Sequence, residues 1–121
     1  MTPHYQVITT QHPLYSEVKR LVERILRAPL GQSLDQDDIN VHQTGLIHII
    51  SGDNNTLLSC CCTVKGNEPN SSQLRHMLTH PNHLKKNYGS LLLDHVEHTC
   101  QRQGDQLLYA YARADIIDFY L

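Results

Sequence analysis

Apolar side chains along the chain switch between two periods, and each switch marks an element. His4 to Thr10 reads as a short strand. From Leu14 to Arg27 the apolar residues Val18, Leu21, Val22, Ile25 and Leu26 share one helical face, and Pro29 follows as a stop. Ala28 to Asn40 turns to Pro, Gly, Gln and Asp, which predicts a loop or a short second helix. Gly45 to Ser51 and Thr56 to Val64 are β-rich runs around Gly52-Asp53-Asn54-Asn55, residues that accept left-handed turns, so these strands should pair antiparallel. Lys65 to Ser72 reads as a polar loop, Gln73 to His80 as a fourth strand and Asp105 to Ala112 as a fifth. Between them Leu91, Leu92, Leu93, Val96 and Cys100 recur at helical spacing.

That third helix starts at Leu84-Lys85-Lys86-Asn87-Tyr88-Gly89-Ser90. The first N–H groups of a helix have no intrahelical partner and lie at the positive end of its dipole, and two lysines add charge of the same sign. A pyrophosphate is the natural occupant of such a turn, although a solvated turn would read much the same. Asn87 is the non-glycine residue type most tolerant of positive φ.

Composition narrows the picture. A chain of 121 residues with 40% hydrophobic content can bury one modest core, so residues 1–121 are expected to form a single domain. A formal net charge of −2 gives no global basic field for nucleic acid or an acidic membrane. No run approaches the roughly 18 apolar residues of a membrane span. Met1-Thr2-Pro3-His4 is not followed by a signal-type apolar core, and the expected location is the cytoplasm. Cys60, Cys61 and Cys62 are adjacent and cannot readily bridge one another, so they are expected to be reduced core residues.

Nine histidines raise the question of metal. His76-x3-His80-x2-His83 and His95-x2-His98 have usable spacings, but His80 and His83 flank Pro81 and Asn82 in a loop and no Cys-x2-Cys accompanies them. No metal is expected from these spacings, and a metal-responsive binding protein would rest on histidine count alone.

The order of strand, Lys/Asn/Tyr/Gly/Ser turn, helix and strand resembles the cofactor core of the GNAT acetyltransferase family, whose pattern is Gln/Arg-x-x-Gly-x-Gly/Ala. Gly89 matches the second glycine, whereas Asn87 replaces the first and Leu84 the leading Gln/Arg. Ala112-Arg113-Ala114-Asp115-Ile116-Ile117-Asp118-Phe119-Tyr120 is similar to that family's Tyr-bearing helix, and Arg27-Ala28-Pro29-Leu30-Gly31 with Asp37-Asp38 to the first loop of one branch.

The resemblance implies an α/β fold: a mixed, mostly antiparallel sheet flanked by helices on both faces, lacking the family's last strands, with strands four and five splayed around acetyl-CoA. It implies transfer of an acetyl group to a primary amine of a small molecule or protein. Backbone groups of Met77, Leu78 and Thr79 would pair with the pantetheine arm, and Lys85, Lys86, Asn87, Tyr88, Gly89 and Ser90 would hold the pyrophosphate. Tyr120 would protonate the leaving thiolate. His76, or else His48, is the candidate base because imidazole titrates in the right range, with a water chain as the alternative. The segment from Ala28 to Asn40 would lie over the site. Strand five would be left as an open edge, for which a second copy or another partner is expected. The alternative is a degenerate or truncated module that binds CoA or a partner without turnover.

Overall fold

Among the described residues six strands make one sheet in the order β1-β2-β3-β4-β5-β6, and they are short because each polar turn returns the chain after one crossing. They are β1 (His4–Ile8), β2 (Leu46–Ser51), β3 (Leu57–Lys65), β4 (Ser71–Thr79), β5 (Leu107–Ala112) and β6 (Asp115–Tyr120). This is the architecture of the computed structural model, which describes residues 2–112 and 115–121. All neighbours are antiparallel except β4 and β5, which the helical crossover forces to run parallel. The helices are α1 (Tyr15–Leu21), α2 (Gln36–Thr44) and α3 (Tyr88–Arg102).

The expected first helix is present but not uniform. After Leu21 it continues as a π-helical segment, Val22–Arg27, and ends in a single 3-10 turn, Ala28–Leu30. Pro29 sits in that turn and Gly31 follows at φ 70°, the left-handed stop a glycine adopts at little cost. The polar stretch after it folds into α2, whose start is a capping box: Asp35 accepts from the Asp38 N–H while the Asp38 carboxylate accepts from the Asp35 N–H. In the β2–β3 connection Asn54 and Asn55 take φ 58° and 56°, as their residue type allows.

Two cores result, one on each face of the sheet. Val18, Leu21, Val22 and Val41 pack on Ile47, Ile49, Cys60, Cys62 and Leu78, and Leu92, Val96 and Cys100 pack on Ile50, Leu58, Cys61, Leu74 and Leu108. The adjacent cysteines fill both faces by strand alternation, and burial raises their thiol pKa values, that of Cys62 to about 12. No helix among the described residues is long and apolar enough to cross a membrane.

The carboxyl-terminal segment corrects one expectation. Asp115–Tyr120 is a strand and not the start of a helix, and it pairs with β5 from Ala112↔Asp115 to Leu107↔Tyr120. Arg113 and Ala114 of that pattern lie outside the described residues. Ile116, Ile117, Phe119 and Tyr120 favour a pleated surface, and pairing them satisfies the backbone edge that β5 would otherwise present. Among the described residues the edges of the sheet are β1 and β6, so strand five is not an open edge.

Candidate active site

Strand β4 is irregular where the resemblance places the reacting thioester. Cys62 lies opposite Arg75 but Cys60 opposite Leu78, so His76 and Met77 together face Cys61. The extra residue is a β-bulge, with His76 at φ 54°. Because of it Arg75 and His76 both turn toward α2, where Arg75 meets Asp37 and His76 meets Asp38. Met77 is left against the α3 core and Leu78 against the other.

On its other side β4 pairs with β5 only at Ser71↔Leu107, Ser72↔Leu108 and Gln73↔Tyr109. Past Gln73 the parallel ladder ends, so the backbone from the bulge to Thr79 borders a splayed opening. The expected divergence of the two strands is therefore present.

Helix α3 starts at that opening. Its first helical hydrogen bond runs from the Leu91 N–H to the Asn87 carbonyl at 3.0 Å, so the N–H groups of Tyr88, Gly89 and Ser90 precede the helical ladder. Lys85 and Asn87 both adopt left-handed backbone, φ 64° and 62°, which folds the turn tightly before the helix. The Ser59 hydroxyl donates to the Tyr88 carbonyl at 3.2 Å and fixes the helix start to β3. A Cβ placed on Gly89 would lie 3.5 Å from Thr79 Oγ1 and 3.8 Å from Met77 Cε, so the glycine faces the last residues of β4. Lys85 and Lys86 are exposed beside it. The turn and the β4 segment are thus brought together.

His76 is held on the α2 face of the bulge by a directed chain of hydrogen bonds. The Asp38 carboxylate, which can only accept, takes the Nε2–H of His76 at 3.0 Å. His76 Nδ1 then accepts from His42 Nε2 at 3.0 Å, and His42 Nδ1 from the Tyr15 hydroxyl at 2.8 Å. Arg27 closes the far end, donating to both oxygens of Asp38 at 3.0 and 2.6 Å. The Arg27 guanidinium lowers the Asp38 pKa to about 2, so the carboxylate is ionised. Burial lowers the His42 pKa to about 4, helped by His76, and lowers that of His76 too. Both imidazoles are neutral near pH 7, as the chain of single donors requires.

His48 is elsewhere. It is fully buried under α3, with Nδ1 against the Tyr5 hydroxyl and Nε2 against Thr63 Oγ1, both at 2.8 Å. Tyr120 is not at the opening either. It lies opposite Leu107, which lies opposite Ser71, about five residues or about 16 Å along β4 from His76. Tyr120 is 83% exposed, and its hydroxyl contacts Asp118 at 3.5 Å. The structure thus gathers Met77 to Thr79 with Lys85 to Ser90, places His76 just behind them, and sets Tyr120 and His48 apart. A cavity of about 550 Å³, lined by Thr44, Lys65, Ser72, Gln103 and Asp105 among others, lies at the opposite end of β4 from the bulge.

Arg27, Asp38, His42 and Tyr15 were not expected as a group. Asp35 and Asp38 do carry the spacing of a capping box, the one local signal. His42 and His76 are 34 residues apart and meet only through the bulge.

Comparison with known proteins fits this geometry. The family described as the acetyltransferase (GNAT) family matches residues 13–121. No curated protein shows a significant sequence match. Among solved structures, a GNAT-family acetyltransferase of Staphylococcus aureus superposes with a TM-score of 0.68 at 18% identity, over 90% of this chain and 73% of that one. The N-acetylglutamate synthase of Neisseria gonorrhoeae, solved with coenzyme A and N-acetyl-glutamate, gives 0.71 at 15% identity. It shares 92% of this chain but only 26% of its own length. An IAA acetyltransferase of Bacillus cereus gives 0.67 at 15% identity, covering 90% of this chain and 65% of that one. At these identities the structural likeness speaks for the fold, and the family match for membership. The chain belongs to the GNAT acetyltransferase family.

Proposed function

We propose that the protein transfers an acetyl group from acetyl-CoA to a primary amine of a small molecule or protein. The observation that carries this is the juxtaposition of the β4 bulge, the end of the β4–β5 ladder and the start of α3 at Gly89. An extended acyl-pantetheine arm laid along Met77 to Thr79 would use backbone groups as an added strand does, and its pyrophosphate would meet the α3 start with Lys85 and Lys86. A backbone N–H at the bulge would polarise the thioester carbonyl and stabilise the tetrahedral oxyanion.

Proton handling follows from the hydrogen bonds. Attack by a neutral amine forms the C–N bond, and collapse expels the CoA thiolate. Both ring nitrogens of His76 are already within hydrogen-bond distance of Asp38 and His42, so we assign the amine proton to water in the opening and give His76 a positioning role at the bulge. A cytoplasmic setting suits the four reduced cysteines. The partner contact expected at an open edge is reassigned to β6, where Ile116, Ile117 and Tyr120 are exposed.

One observation favours the second reading, a CoA-binding module without turnover: Tyr120, the expected thiolate-protonating phenol, stands far from the bulge. The test is release of free CoA thiol from acetyl-CoA in the presence of a panel of primary amines, read together with acetyl-CoA binding. Amine-dependent release supports the enzyme. Binding without release by any amine supports the module.

A further inference from the structure

Three soft or borderline donors converge behind the bulge. His42, Cys62 and His76 each offer one ligand atom, and these atoms all lie within 4.8 Å of one another. They come from three elements, α2, β3 and β4, and are only 2%, 1% and 8% exposed. We propose that His42, Cys62 and His76 form a transition-metal site, suited to zinc, that clamps α2 to the bulge of β4.

The two nitrogens are already near the spacing the ion needs, and the Cys62 sulfur, within 4.8 Å of both, has to close in by up to about 1.2 Å. Tetrahedral zinc with bonds of about 2.0–2.1 Å to nitrogen and 2.3 Å to sulfur needs donors about 3.3–3.6 Å apart. His42 Nε2 and His76 Nδ1, now 3.0 Å apart, need to separate by only about 0.3 Å. The outer nitrogens are already held as ligating histidines require: His76 Nε2 by Asp38, a carboxylate–histidine pair, and His42 Nδ1 by Tyr15. Binding needs two proton moves. Cys62 loses its thiol proton to solvent as the sulfur–metal bond forms, and His42 shifts its proton from Nε2 to Nδ1. The Tyr15 hydroxyl donates to Nδ1 now and can accept from it afterwards, because a phenol oxygen does either. Three protein ligands leave a fourth position for water. Neither the half-buried pair His80 and His83 nor the exposed pair His95 and His98 takes part.

This site goes beyond acetyl transfer and does not depend on it. The test is cobalt(II) titration of the chelator-stripped, reduced full chain, watching the sulfur-to-cobalt charge-transfer band and the visible bands of tetrahedral cobalt. The expected result is stoichiometric binding with both signals, loss of the sulfur band with at least about tenfold weaker affinity in Cys62→Ser, and about tenfold weaker affinity in Tyr15→Phe. Cys61→Ser, on the opposite face of β3, keeps the band. Zinc raises the melting temperature of the wild type and not that of Cys62→Ser, which separates ligand loss from misfolding. Absence of cobalt binding, a sulfur band that survives in Cys62→Ser, or binding abolished by replacing His95 and His98 instead would overturn the site.

Discussion

Asp38 Oδ1 lies 3.0 Å from His76 Nε2, and this contact ties the first turn of α2 to the bulge of β4. The same carboxylate takes two hydrogen bonds from Arg27, so the end of the first helical segment, the second helix and the bulge converge on one ionised group. Asp38 is 1% exposed. Replacing it leaves a largely enclosed guanidinium without its partner and frees a strained residue on β4.

Asp38→Ala is therefore expected to lower stability by about 3 kcal/mol, the scale for removing one member of a buried ion pair. Urea unfolding at pH 7 measures it. A midpoint equal to that of the wild type would show that the convergence is incidental.

Gly89→Trp is expected to abolish acetyl-CoA binding with the fold retained. Gly89→Ala should fold normally, since its Cβ meets Thr79 and Met77 only at ordinary contact distance. An indole at the same point would fill the space between the α3 start and β4. Circular dichroism confirms the fold, and titration with acetyl-CoA reads the binding; unchanged affinity in the tryptophan variant would remove the pyrophosphate assignment.

Lys85→Ala combined with Lys86→Ala should weaken CoA binding severalfold at low salt, with the difference shrinking as salt screens the exposed charges. A difference that grows with salt would point to a packing role for these side chains.

Stability should also fall with acid through His48. Burial lowers its pKa from 6.5 to about 4, so below about 6.5 the unfolded chain takes up a proton that the folded chain refuses. The native state loses about 1.4 kcal/mol per pH unit from this group between those values, and nothing further below about 4. His48→Gln should reduce that slope and leave the share of His42, whose pKa burial also lowers to about 4, measured as urea midpoints from pH 7 to pH 4. An identical slope in the variant would assign the acid sensitivity to other groups.

Local pattern made much of the fold legible. The stripe of Leu92, Val96 and Cys100 marked α3, and Asn54 and Asn55 adopted the left-handed turn their residue type allows. The Lys85 to Gly89 turn was visible for the same reason, being contiguous. What stayed hidden depends on long-range register. One extra residue in β4 sends Arg75 and His76 to the same face, and no sequence spacing announces that His76 will meet His42 and Asp38. The last segment misled in another way. Similarity to a Tyr-bearing helix outweighed the β-branched pair Ile116-Ile117, whose local preference for a strand agrees with the structure.

The bulge, the splayed strands and the start of α3 are proposed to form one acyl-CoA cleft. Calorimetric titration of the chain with acetyl-CoA, with metal absent, tests it most directly. Micromolar, one-to-one binding that is lost in Gly89→Trp is the predicted result. No heat from a chain shown to be folded would contradict it.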